Sequence, residues 1–184
     1  NTKGVTLAVA MLDYGAAAQT RFNYKTDDLA NSIITPAMRA VVNELDLSVT
    51  NHQLKGSNFY GTSVAVENRI DIRMFFKNVK DDMYAIATYV DRDGTSQAIR
   101  YNSDVFVAYG ANYKGIRLDM LKAADYGYVV TVTMYNADGT VHGTATDSVE
   151  SYAARVFATS DEELKTVVQA LTKYCKASYA YFVG

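Results

Sequence analysis

Leu7-Ala8-Val9-Ala10-Met11-Leu12-Asp13-Tyr14-Gly15-Ala16-Ala17-Ala18-Gln19-Thr20-Arg21-Phe22 opens the chain with a helical pattern, and Asp161 to Phe182 closes it with another. Between them the sequence turns alternating and Gly-punctuated. Two helices that each carry one apolar stripe bury it most readily against each other or against the sheet between them. The pattern therefore predicts that the two chain ends meet.

The closing helix has the clearer pattern. Leu164, Val167, Val168, Leu171, Tyr174, Cys175, Ser178 and Phe182 recur at spacings of three and four, while Lys165, Gln169, Lys173 and Lys176 take the other faces. Ser160 with Glu163 fits a capping box, and Asp161 and Glu162 stand where the helix dipole favours negative charge. A shorter pattern of Val149, Tyr152, Ala153 and Val156 predicts a helix leading out of the last strand. At the amino end Leu7, Met11, Tyr14, Ala18 and Phe22 share a face, and the Ala16–Ala18 run adds helix propensity. Gly15 costs about 1 kcal/mol there relative to Ala, so a close packing contact is expected at it. Pro36 suits a first helical turn and suggests a second helix within 31–42.

Seven runs in the middle read as strands: 45–50, 63–76, 83–90, 97–101, 105–109, 128–135 and 140–146. Helical patterns for crossovers are missing between them, which favours antiparallel pairing. Asp91-Arg92-Asp93-Gly94 and Asn136-Ala137-Asp138-Gly139 mark two hairpin turns, where Gly supplies a positive φ. In Ile70-Asp71-Ile72-Arg73-Met74 the apolar side chains fall on one face, predicting a strand at the sheet surface with one dry and one wet side. The expected fold is α+β: an antiparallel β-sandwich-like domain with the N- and C-terminal helices packed together. One module over residues 1–184 is expected, with 1–44 and 148–184 as a helical bracket around a β-rich body at 45–147.

At 184 residues and 49% hydrophobic content the chain can bury a sizeable core without staples. Net charge is −2, with Lys and Arg scattered, so the electrostatic footprint of a nucleic-acid binder is missing. No stretch reaches the roughly 20 apolar residues of a membrane span. The one cysteine, Cys175, lies on the apolar face of the last helix, where a buried inert thiol is expected. The chain opens at Asn1 with no start methionine and no signal segment, and reads as a piece of a longer protein.

Motifs for catalysis are sparse. His52 and His142 are the only histidines and neither stands in a metal-ligand spacing. Asp91-x-Asp93-Gly94 resembles the start of a calcium loop, but Asn102 stands where a bidentate Glu would be needed. The acidic pairs Asp27-Asp28, Asp81-Asp82 and Glu162-Glu163 are consecutive and do not converge as glycosidase carboxylates must. A nucleophile elbow, a phosphate loop and a dinucleotide fingerprint are all missing. No enzyme, cofactor or metal is expected.

Tyrosine is the compositional bias, with 15 Tyr against no Trp. Tyr gives rigid amphipathic contact area at low entropic cost. The ligand-binding candidates are those in Gly-rich loops: Phe59 and Tyr60 in Gly56-Ser57-Asn58-Phe59-Tyr60-Gly61, and Tyr109 and Tyr113 in Tyr109-Gly110-Ala111-Asn112-Tyr113-Lys114-Gly115.

Met11 to Gln19 together with Leu164 to Tyr174 resembles a module that recurs in large secreted surface proteins of gut-dwelling Gram-positive bacteria. Those modules too are β-rich middles bracketed by a Tyr- and Ala-rich helix at each end. The resemblance implies an extracellular, multidomain parent and a non-enzymatic module, and carries over no catalytic residue. The function expected on this basis is binding or adhesion to a host macromolecule, such as an immunoglobulin or a mucin-type glycoprotein. A carbohydrate-binding module that takes a polysaccharide on Tyr60 or Tyr113 is the first rival, and a structural spacer the second.

Overall fold

The computed structural model describes residues 1–66, 70–159 and 161–184. The chain forms two compact units. One comprises Asn1–Thr50, Ala123–Asp125 and Ala153–Gly184, the other Asn51–Lys122 and Tyr126–Tyr152. The architecture is α+β, with antiparallel sheets and helices at both ends of the chain.

In the helical unit α1 (Thr2–Arg21) packs against the C-terminal helix, α4 (Glu162–Phe182). The two run antiparallel. Arg21 at the end of α1 meets Asp161 at 3.6 Å and Glu163 at 2.5 Å at the start of α4, Tyr14 stacks on Tyr174 at 6.0 Å, and Gly4 lies by Tyr181. Cation at a helix C-terminus against carboxylates at a helix N-terminus suits both dipoles. The cap of α4 is Asp161, whose carboxylate accepts from the Leu164 N–H. Ser160, expected as the cap, lies outside the described residues.

The stripe on α4 is nearly the one expected, with Val167, Val168, Leu171, Cys175 and Ser178 buried. The stripe on α1 is not. Thr6, Val9, Ala10, Tyr14 and Ala16 are buried, while Met11 is 49% and Phe22 74% exposed. Residues 5 to 12 are apolar on almost every face, so the partner helix decides which face is covered. Gly15 has its close contact: a Cβ there would sit 3.1 Å from that of Ala30.

The second helix shrinks to a 3-10 turn at Ala30–Ile33 and a short α2 (Pro36–Ala40), capped by the Thr35 hydroxyl. Residues 45–50, expected as the first strand, pair with nothing in a ladder and belong to the helical unit. A helix α3 (Val149–Phe157) follows the last strand as expected.

Among the described residues the strands are β1 (Leu54–Lys55), β2 (Phe59–Val66), β3 (Ile70–Lys77), β4 (Tyr84–Val90), β5 (Ser96–Asn102), β6 (Val107–Tyr109), β7 (Tyr113–Leu118), β8 (Val130–Tyr135) and β9 (Val141–Asp147). They form two antiparallel sheets, β1-β9-β8-β4-β5 and β2-β3-β7-β6. Of the run expected at 63–76, residues 63–66 belong to β2 and 70–76 to β3, which pair antiparallel, while β1 and β7 carried no recognised strand pattern.

Ile72, Met74, Phe76, Ile116 and Leu118 of one sheet and Val130, Val132, Met134, Ala85 and Ala87 of the other are all fully buried. Thr62 of β2 reaches across to Asp147 of β9 at 2.6 Å, so these faces oppose each other. Asp147 is itself buried and accepts from Thr62, the Gln53 amide and the Ser148 N–H, which meets the cost of placing a carboxylate between two sheets.

Both expected hairpin turns form, and on the same plan. Gly94 and Gly139 have φ +83°, and Asp93 and Asp138 accept from the N–H of Thr95 and Thr140 two residues on. Ile70–Met74 departs from expectation. The face predicted to be wet carries Asp71, which is fully buried and ion-paired with Arg117, and Phe75, which is 4% exposed. β3 lies in the interior of its sheet, between β2 and β7, so an alternating pattern there is no sign of a solvated side.

Candidate functional site

The face of β2-β3-β7-β6 that carries Asp71 gathers most of the sequence candidates. Its geometry begins with a bulge. Phe59 pairs with Phe76 and Gly61 with Phe75, leaving Tyr60 as an extra residue on β2. A bulge re-aims the side chain it carries. Phe59 turns inward and meets Phe76 edge-on at 5.8 Å, while Tyr60 stacks on Tyr113 at 3.6 Å with the rings 13° apart.

Tyr109 and Tyr113 end β6 and begin β7 as a register pair across the turn at Gly110, which has φ +60°. Tyr109 stands 5.8 Å from Tyr60 and 5.1 Å from Phe75. The neighbours of Phe75 on either strand are Gly61 and Gly115, so its ring is flanked by bare backbone and the tyrosines close over it. Gly115 is obligatory for this pairing, because a Cβ there would fall 1.9 Å from the Met74 carbonyl oxygen. Phe75 is therefore buried beneath Tyr109, which joins Tyr60 and Tyr113 in one cluster, with Tyr60 43% and Tyr109 50% exposed.

Strand alternation puts Arg73 and Lys77 on the same face as Phe75. Lys77 is exposed and directly opposite Tyr113, and Arg73 is opposite Arg117. The face thus carries the tyrosines and Lys77 at one end and Arg73, Arg117 and the Asp71 carboxylate at the other. Three of the four sequence candidates, Tyr60, Tyr109 and Tyr113, come together; Phe59, half-buried, packs against Phe76 instead. Phe75 was missed, although a lone aromatic on the polar side of an alternating strand was the signal that marked it.

Other candidate groups serve structure. Asp91 accepts from the Tyr128 hydroxyl at 2.6 Å and from the Arg92 N–H, and these hydrogen bonds hold its carboxyl below the usual carboxylate range. The Asp91–Asp93 pair is thereby committed to its turn. His142 bonds the Lys77 carbonyl, and His52 lies 4.0 Å from Glu150. Burial pushes the Cys175 thiol up to about 12, far from a reactive thiolate. Among the described residues no three His, Cys, Asp or Glu side chains cluster as metal ligands, and no helix is long and apolar enough to cross a membrane.

Comparison of the chain with protein-family models, with characterised proteins and with solved structures returns no match in any of the three.

Proposed function

We propose that this chain is a non-enzymatic binding module of an extracellular bacterial surface protein, recognising a host macromolecule through the Tyr60–Tyr109–Tyr113 face. An immunoglobulin or a mucin-type glycoprotein is the class of ligand proposed. The observation that carries the reading is the half-exposed state of Tyr60, stacked on Tyr113, and of Tyr109, packed over a buried Phe75. Rings fixed from beneath lose little entropy on docking, and aromatic anchors supply most of the energy in recognition surfaces. A polysaccharide is the second reading. The exposed ring of Tyr109 offers an apolar platform with a hydroxyl at its edge, and Lys77 beside Tyr113 offers a cation to an acidic sugar.

Purified immunoglobulin G, gastric mucin and a panel of neutral and sialylated oligosaccharides, each flowed over the immobilised chain, test the proposal. Binding to one of the macromolecules that is lost in the Tyr60→Ser/Tyr109→Ser double variant supports it. Oligosaccharide binding alone favours the second reading, and retention by the double variant moves the site elsewhere.

A further inference from the structure

The helical unit holds a cleft that is separate from the tyrosine face. The cleft, of about 370 Å³, opens between α1 and residues 42–47, within the range of small-ligand pockets. Val9 and Ala10 of α1, with Val42, Leu45 and Leu47, make it apolar, and Asp13, Arg39, Glu44 and Lys173 bring charge to it.

Two properties of the lining point to an occupant. The first is the main chain of residues 43–49. Burial alternates residue by residue from Glu44 to Thr50, the two-residue period of a strand, yet no strand pairs with it. It is tethered from its flanks by side chains. The Asn43 N–H donates to the Thr6 hydroxyl at 2.9 Å, and the Lys176 ammonium donates to the Ser48 carbonyl at 2.5 Å. Between these tethers the amides of Glu44, Leu45, Asp46 and Leu47 make no hydrogen bond among the described residues. An alternating segment held at both ends with its peptide groups open is half of a ladder, and such edges accept an added strand.

The second property is charge. The Asp13 carboxylate is fully engaged, with Arg39 at 2.6 and 2.7 Å and Asn31 at 2.9 Å. Glu44, by contrast, makes no ion pair among the described residues, and Lys173 acts on the Asp13 carboxylate only through space, with no direct ion pair. A cation with no direct ion pair, a free anion, an apolar floor and an open peptide edge complement a short peptide with both termini free. We propose that this cleft binds such a peptide, an apolar tripeptide-sized zwitterion. Its carboxylate goes to Lys173, its ammonium to Glu44, an aliphatic side chain to the Val9–Ala10–Leu45 floor, and its backbone pairs with residues 44–47. At about 3.3 Å per residue the four open residues match an occupant of about three.

Free tripeptides with Ala, Val, Leu or Phe at the centre and Val at both ends are the probes. They are titrated into the full chain by calorimetry and by amide resonance shifts. Expected are binding by at least one probe, shifts confined to residues 43–49 and their neighbours on α1, and about a fivefold or greater loss on amidating the probe's carboxylate. In Lys173→Met, whose side chain is exposed and whose loss leaves the fold intact, amidation should make no further difference. Glu44→Gln should remove the sensitivity to N-acetylation in the same way, and N-methylation of the central peptide bond should abolish binding. Silence across the panel, indifference to both capped termini, or shifts that miss residues 43–49 overturns the proposal. Stronger binding by long capped peptides overturns it too, in favour of a strand from a larger protein.

Discussion

The helical unit and the sheet unit are organised by different rules. In the helical unit, neighbours follow from chain position: α1 and α4 run antiparallel, and Arg21, Tyr14 and Gly4 meet Glu163, Tyr174 and Tyr181 in turn. In the sheet unit, position in sequence misleads. Phe59 and Tyr60 are adjacent, yet a one-residue bulge turns one against Phe76 and the other to the surface cluster. A surface cluster built on a bulge and two glycines can change its display by a shift of one residue, whereas a helix pair held along its length cannot.

This contrast can be broken or sharpened by substitution. Phe76→Ala removes a fully buried ring between the sheets and should cost about 3–5 kcal/mol in denaturant unfolding. Gly115→Ala should come next, at about 3 kcal/mol, since its Cβ collides with the β3 backbone. Because Tyr113 and Phe75 sit on the strands it pushes apart, that variant should also quench the upfield ring shifts of the cluster in proton spectra.

Smaller effects belong to the helical unit. The Arg39 guanidinium, against a lesser opposing push from burial and with help from Asn31, holds the Asp13 carboxyl below its ordinary value near 3.8. A carboxyl lower in the folded than in the unfolded chain stabilises above its unfolded value, and that stabilisation is lost as pH falls through its folded value. Thermal midpoints measured from pH 6 down to pH 2 should therefore fall more steeply below about pH 4 for the native chain than for Asp13→Asn, a difference worth about 1 kcal/mol or less. Arg21→Ala loses exposed pairs only and should cost a few tenths of a kcal/mol, vanishing in 1 M salt.

What the sequence made legible tracks the same contrast. The closing helix was readable because acidic first-turn residues and a clear stripe coincide at Asp161–Leu171, although the cap was read at Ser160 and is Asp161. The stripe of α1 was misplaced because Leu7, Met11 and Val9 are equally apolar and only the partner chooses among them. The hairpin turns were readable from Asp-Gly, since the φ +83° they need belongs to glycine. Asp71 was misread as solvated because periodicity reports alternation and says nothing of whether both faces are covered. Tyr60, Tyr109 and Tyr113 stood out as aromatics in Gly-rich loops; that they form one cluster without Phe59 depends on register, which no local pattern encodes.

The account rests on Tyr60 and Tyr109 being held for recognition rather than for packing. The most direct measurement pairs the thermal midpoint with surface binding to purified immunoglobulin G and mucin for the native chain and for Tyr109→Ser. The account predicts a midpoint within about 2–4 °C of the native chain, together with loss of binding to whichever macromolecule the native chain retains. A variant that melts far earlier, or one that binds as the native chain does, would contradict it.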